Sequence, residues 1–340
     1  MPGSAHCWRL VSIAAVVCIV CVPAVVAQSA GLRWEVLQRY GTEDPPPGSR
    51  LGGSSFERIA AIRVFPDGRV AILDQQGKKV ALFARDGRFL RTIGLGSGHG
   101  PGELANPIAL DVSDNRVAVF DYDGNRITVF DTLGKVLWMR TTPRAKQILL
   151  VGDTVYGSYM PGRQFMIWRQ PTPDLQSVSR LIPVEPTVLR DFDPNGLVAM
   201  LTRDPRGDIL VADGRPGLWY ALSDPSSAKG TNLFPDARAF AFEDMRIPPA
   251  QTTGIVALSE RYVGIAFDTF GRTGQAPPRI IRQEFAVFDR QSDALVGRLD
   301  FSFGEVSLTV LGPGNAPFEV LVARPEPYPH VERIVLSGLR

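Results

Sequence analysis

Apolar residues in this chain fall in short runs separated by polar punctuation, and their spacing is that of strands. The runs at 70–73, 117–120, 127–130, 209–212 and 285–288 are rich in Val, Ile and Phe and are bounded by Gly, Pro, Asp or Asn. Branched and aromatic side chains suit a pleated surface, while Gly, Asn and Asp supply the turns between strands. No stretch shows the three-and-four spacing of an amphipathic helix. Prolines sit between the runs, at 45–47, 248–249 and 277–278, where a missing amide donor harms no ladder.

The runs also repeat. Asp67-Gly68-Arg69-Val70-Ala71-Ile72-Leu73-Asp74 returns as Asp114-Asn115-Arg116-Val117-Ala118-Val119-Phe120-Asp121, and Val80-Ala81-Leu82-Phe83 returns as Ile127-Thr128-Val129-Phe130, each 47 residues later. A fixed period of this size marks a repeat architecture in the blade range of propellers. Looser copies occupy 206–222, 261–289 and 318–336, and a degenerate one begins at Ile148-Leu149-Leu150-Val151. Six units predict an all-β fold, a six-bladed β-propeller of four-stranded antiparallel blades, because a ring of sheets protects their edges. The last unit is one strand short. Leu32-Arg33-Trp34-Glu35-Val36-Leu37 is placed to supply that strand, so an N-terminal strand would join the C-terminal blade and close the ring.

Composition adds an address. His6 and Arg9 precede an apolar run of 17 residues, 10–26, which Pro23 breaks before Val25-Val26-Ala27. This is the layout of a secretory signal peptide over residues 1–27, leaving 28–340 as a single propeller domain, periplasmic or extracellular. The same run is at the lower edge of bilayer-spanning length, so retention as an anchor is the alternative. After cleavage no stable membrane insertion is expected. All three cysteines, Cys7, Cys18 and Cys21, lie in the leader, so the mature chain has no thiol for a disulfide, a metal or a nucleophile. A net charge of +2 gives no electrostatic reason to expect nucleic acid. A monomer is expected.

Residues 94–131 run Gly94-Leu95-Gly96-Ser97-Gly98-His99-Gly100-Pro101-Gly102-Glu103-Leu104-Ala105-Asn106-Pro107, then an inner strand with a VxD step, then Asn125-Arg126-Ile127-Thr128-Val129-Phe130-Asp131. This resembles the NHL repeat, well over 59–138 and in part over 197–222. The resemblance implies that each blade's first strand lines a central channel. It also implies that the loop from second to third strand shares one face with the loop crossing to the next blade. That face would present Gln75, Gln76, Lys78, Tyr122, Asp123, Arg126 and Arg215, with His99, Glu103 and Asn106 on the long crossing loop, and the channel mouth there is the default binding site.

The strand-ending aspartates Asp74, Asp121 and Asp213 suggest a carboxylate ring, but recurrence in several blades is the habit of a scaffold part that fixes a turn. Asp121-Tyr122-Asp123-Gly124-Asn125 has calcium-loop composition without the spacing of an EF-hand, and reads as an Asx turn. Outside the leader only His99 and His330 remain, too few for a three-histidine metal site, and no G-x-S-x-G elbow or phosphate loop occurs. The glycines of 94–102 serve instead to turn the chain between blades with positive φ. The aromatics Phe83, Phe120, Phe130, Trp219, Phe267 and Phe288 read as packing between blades. The irregular segments 148–190 and 223–254 are where a blade departs from the pattern.

The readable inner strands offer two charged groups, Arg63 and Asp111. The expectation is therefore an exported, non-enzymatic binding module that shows its loop face and channel mouth to a protein, peptide or glycan, without a cofactor. A carboxylate-held divalent metal, calcium included, in a hydrolase or lyase is the alternative.

Overall fold

The computed structural model describes residues 32–42, 54–159, 166–171, 179–183, 199–212, 214–234, 240–242, 245–247, 249–272, 277–300, 311–313, 318–324 and 328–339. Residues 1–27, where a leader is expected, and Asp213 lie outside the described residues, as do the charged positions 163, 190, 191 and 193 of the irregular third unit. Among the described residues there is no helix, and so none long and apolar enough to cross a membrane.

Six four-stranded antiparallel sheets form the blades. Blade 1 holds β2 (Ile59–Val64), β3 (Val70–Asp74), β4 (Lys79–Phe83) and β5 (Phe89–Ile93). Blade 2 holds β6 (Pro107–Ser113), β7 (Arg116–Asp121), β8 (Arg126–Asp131) and β9 (Val136–Thr141). Blade 3 holds β10 (Gln147–Val151), β11 (Thr154–Tyr159), β12 (Met166–Pro171) and β13 (Ser179–Pro183). Blade 4 holds β14 (Met200–Arg203), β15 (Ile209–Ala212), β16 (Leu218–Ala221) and β17 (Asp224–Gly230). A two-stranded hairpin, β18 (Phe240–Phe242) with β19 (Met245–Ile247), interrupts the crossing to blade 5. Blade 5 holds β20 (Ala250–Ala257), β21 (Tyr262–Gly271), β22 (Arg279–Asp289) and β23 (Leu295–Asp300). Blade 6 runs β24 (Leu311–Pro313), β25 (Glu319–Arg324) and β26 (His330–Ser337), and its outer strand is β1 (Arg33–Tyr40).

The inner strands touch in the order β2, β6, β10, β14, β20, β24 and back to β2, which closes the ring. The N-terminal strand pairs antiparallel with β26 from Arg33 opposite Ser337 to Tyr40 opposite Val331. A salt cluster locks this seam: Arg39 and Arg324 both bond the Glu332 carboxylate at 3.1 Å. Tyr40 is fully buried there, edge-on to Phe83 of blade 1, and its hydroxyl donates to the Arg85 carbonyl at 3.1 Å.

Strand alternation explains the core. On β3 the side chains of Ala71 and Leu73 pack towards blade 2, while Val70 and Ile72 pack towards blade 6. Each blade junction has such a cluster, six among the described residues, so every sheet covers a neighbour's apolar face on both sides. Phe83, Phe120, Phe130, Trp219, Phe267 and Phe288 all lie in these clusters, as their strand-end positions imply.

Candidate functional site

The inner strands surround a channel of about 1220 Å³. At the end where these strands begin, its wall carries Arg58, Gln75, Lys146, Gln147 and Gln251; at the other end it carries Asp114 and Asp204. The chain crosses between blades at the first end, so this mouth shares its face with the loop 94–106 and the β18–β19 hairpin. Arg58 and Lys146 are exposed, and Lys146 lies 5.6 Å from the Tyr122 ring centroid, with Arg144 at 5.2 Å.

Deeper in the channel the two charges noted in the inner strands meet. Arg63 donates from Nε to Asp111 Oδ1 at 2.9 Å and from Nη1 to the Ile62 carbonyl at 2.8 Å. Asp111 is fully buried, and its other oxygen accepts the Leu150 amide at 2.5 Å and the Arg203 guanidinium. Arg203 Nη2 also reaches the carbonyls of Val112 at 2.7 Å and Leu150 at 2.6 Å. Blade 4 thus reaches blade 2 past blade 3, a path that runs along the channel wall. These contacts satisfy backbone groups on the unpaired inner edges of β6 and β10, which have no further strand to pair with. Burial pulls the Arg63 guanidinium below its ordinary value, Asp111 opposes this, and the nearby Arg203 charge adds to it. At the far end both Asp204 oxygens are held by Arg290, at 2.8 and 2.5 Å.

Most of the loop-face candidates are gathered by the structure, but for fastening the crossing loop. Arg126 Nη2 donates to the Glu103 carbonyl at 2.6 Å and to Asp121 at 3.2 Å, and Nη1 donates to the His99 carbonyl. Glu103 turns back to accept the Gly100 amide at 2.8 Å. Asn106 accepts from Gln75 at 2.8 Å and donates to Asp123 at 3.0 Å, a polar chain from blade 1 to blade 2. Lys78 reaches Ser97 at 3.1 Å. His99 and Asp123 remain exposed, Tyr122 and Arg215 half-buried, on the rim. Gly94, Gly96, Gly98 and Gly102 have positive φ, as a sharply turning connection requires. At Gly98 a β-carbon would also lie 2.1 Å from Glu103 Oε2.

The strand-ending aspartates act as scaffold. Asp74 accepts the amides of Glu57, Arg58 and Gly77 at 3.0–3.1 Å, and Asp121 accepts those of Ala105 and Asn106 at 2.8 and 2.9 Å. Both carboxylates tie down the chain just before the inner strand of their own blade. With Asp121 bound to Arg126, the 121–125 segment is a turn, closed by the Asn125 amide on the Tyr122 carbonyl at 3.2 Å. Among the described residues no group of three His, Cys, Asp or Glu side chains is placed to hold a metal ion.

Sequence reasoning missed Arg203. Its signal was present, because counting back four residues from the turn glycine Gly207, as from Gly68 to Val64, reaches it.

Residues 54–144, which span blades 1 and 2, match the model of a family described as 6-bladed beta-propeller. No curated protein matches the chain. Among solved structures, a member of a family of unknown function from Bacteroides vulgatus superposes with a TM-score of 0.59 at 10% identity, over 92% of this chain and 100% of that one. A candidate exported protein of Bacteroides fragilis gives 0.56 at 11% identity, over 90% and 95%. The PQQ-bound aldose sugar dehydrogenase of Streptomyces coelicolor gives 0.53 at 13% identity, over 91% and 100%. At these identities the likeness is one of fold: the chain is a six-bladed β-propeller.

Proposed function

We propose that this protein is an exported binding module of the NHL-like kind, whose ligand enters the channel at the mouth where the inner strands begin. The observation that carries the reading is the open channel of about 1220 Å³ whose mouth gathers polar and cationic side chains from several blades. Its wall combines apolar strand surface with few polar groups, the usual make-up of a site for a small ligand or the end of a chain. Arg58, Lys146 and the rim residues Gln75, His99, Tyr122, Asp123 and Arg215 form the approach, on loops held stiff by Arg126, Glu103, Asn106 and Lys78. A rigid mouth lowers the ordering cost of binding. The ligand is a peptide, a glycan or a segment of a protein partner. The leader at 1–27 and the absence of cysteine from the rest of the chain support the exported location.

The test is binding of the purified protein to arrays of oligosaccharides and peptides, repeated with Arg58→Glu and Lys146→Glu combined. These exposed substitutions leave the ring intact. Loss of the hits is the expected result; hits that survive the double reversal unchanged would place the ligand elsewhere and overturn the reading.

A further inference from the structure

We propose that the Arg63–Asp111–Arg203 cluster seats a carboxylate of the ligand inside the channel; the inference rests on the binding reading above and names the chemistry that this site selects.

Charge is the first argument. Two guanidinium groups share one carboxylate, and both Asp111 oxygens are already occupied, by Arg63 on one side and by Leu150 and Arg203 on the other. One positive charge is left over in a wall otherwise built from residues such as Ala61, Leu110, Leu149 and Ile255. Arg203 lines the channel and stays partly exposed, so the excess charge is open to an entering anion. Among the described residues the remaining carboxylates of the wall are Asp114 and Asp204, both at the opposite end, and Asp204 is taken by Arg290. Within the Arg63–Asp111–Arg203 cluster the deficit is a single negative charge, which one carboxylate supplies.

Geometry is the second argument. The Arg203 contacts to Asp111, Val112 and Leu150 all fall on Nη2, while 36% of its side chain stays exposed. Nε and Nη1 are not used in these contacts; they lie on different edges of the guanidinium, and each can give a ligand carboxylate a single charge-assisted hydrogen bond. Arg203 is fixed by three acceptors, so little ordering remains to be done on binding.

Position in the repeat is the third. Ladder registers place Arg63, Asp111, Leu149, Thr202 and Val256 at one level of the inner strands, and Val64, Val112, Leu150, Arg203 and Ala257 at the next. On the second level Arg203 stands among apolar residues; on the first, Arg63 and Asp111 share the level with Leu149, Thr202 and Val256, and each charge occurs once. Ring formation alone does not call for them, since the other blades meet without them.

The experiment is calorimetric titration of the purified protein at low ionic strength with D-glucuronate and with N-acetylglycine, using D-glucose and N-acetylglycinamide as neutral counterparts. Arg203→Met is the variant, with circular dichroism to confirm its fold and Arg203→Lys as the conservative control. The expected result is that at least one carboxylate binds at least tenfold more tightly than its neutral counterpart. Arg203→Met removes that preference and Arg203→Lys keeps part of it. The pair of probes separates a sugar acid from a peptide carboxyl. Equal binding of charged and neutral probes, or an anion preference unchanged in Arg203→Met, overturns the seat. Should Arg203→Met fold poorly, the Nε–H NMR signal of Arg203 in the unaltered protein serves instead: a shift with carboxylate but not with the amide supports the seat, and no shift overturns it. The two proposals fail separately. Array hits that ignore Arg203→Met refute the seat and leave the module standing, while anion binding without any array hit does the reverse.

Discussion

Asp268 is the buried carboxyl whose removal should stabilise the protein. It lies on β21, the second strand of blade 5, one residue past the ladder position that Asp74 and Asp121 hold in blades 1 and 2, and it is 4% exposed. Those two end their strands and accept the amides that lead into the inner strand. Strand β21 runs on past Asp268, with Thr269 opposite Ala250 and the Phe270 amide on the Pro249 carbonyl, so the corresponding backbone groups are already paired. Asp268 is left with the Gln283 amide at 3.2 Å. Burial wins over that one bond and pushes its carboxyl up to about 6, from an ordinary 3.8. The folded state then holds a proton that the unfolded state releases, so stability falls as pH rises from about 3.8 to about 6 and stays low above. At roughly 1.4 kcal/mol per unit, the full penalty at neutral pH is about 3 kcal/mol. Asn cannot ionise and keeps an oxygen for Gln283. Asp268→Asn is therefore expected to stabilise the protein by about 1–3 kcal/mol at pH 7, a rise of roughly 2–6 °C in midpoint, with no gain near pH 3.5. Thermal unfolding followed by circular dichroism at several pH values measures this. A variant that melts lower at pH 7, or a difference that does not change between pH 3.5 and 7, would refute the reasoning.

Three further outcomes follow from the same geometry. Asp74→Ala leaves the Glu57, Arg58 and Gly77 amides without their acceptor and should cost about 2–4 kcal/mol at pH 7, read as a fall in denaturation midpoint. Arg126→Met should cost about 3 kcal/mol and speed amide hydrogen exchange in residues 95–104 more than in the blades, because Arg126 holds that loop by its carbonyls. Hydrogen bonding from His330, opposed by burial and helped by Arg324 and Arg39, holds Glu332 at about 2 against an ordinary 4.5. The seam between β1 and β26 should therefore lose its electrostatic support as pH falls from about 4.5 towards 2, by on the order of 1 kcal/mol after solvent screening at Arg39. A Glu332→Gln variant whose midpoint keeps the acid dependence of the unaltered protein over that range would count against it.

The ring was legible because its parts recur. The glycine-to-aspartate step of Gly68 to Asp74 returns often enough to count blades, and the unpaired final unit called for Leu32 to Leu37, which lie in and beside β1. The same repetition made the roles of Asp74 and Asp121 readable, and it extends to the clasp: Lys79, 47 residues before Arg126, bonds the Ser55 carbonyl at 2.7 Å just as Arg126 bonds its own approach loop. The structure sets the loop-face residues on the side where the chain crosses between blades, but spacing could not say that Arg126, Glu103 and Asn106 would be spent on fastening that loop. Such bonds depend on the fold of a glycine-rich loop, where φ is least restricted. Nor could periodicity reveal the β18–β19 hairpin, which belongs to no blade, or the meeting of Asp111 with Arg203, because that contact crosses two blade boundaries.

That last failure shows where function is written in a repeat protein. A residue needed to build every blade is selected at every copy, so it appears at a fixed interval and declares itself as scaffold. A residue needed for one ligand has no reason to recur, and in a ring it also breaks symmetry at a definite angle about the axis. Arg63, Asp111 and Arg203 satisfy both conditions: none of the three charges recurs at its own level among the described residues, and all three lie on the arc from blade 1 to blade 4. Ladder registers are needed to see this, because the paired residues Val112 and Val117 are one residue closer in sequence than their equivalents Val64 and Val70. The 47-residue offset that aligns Asp121 with Asp74 therefore misaligns Asp111 with Val64 instead of Arg63. The odd charge in the channel wall becomes visible only once hydrogen-bonded partners, and not sequence intervals, decide which residues are equivalent.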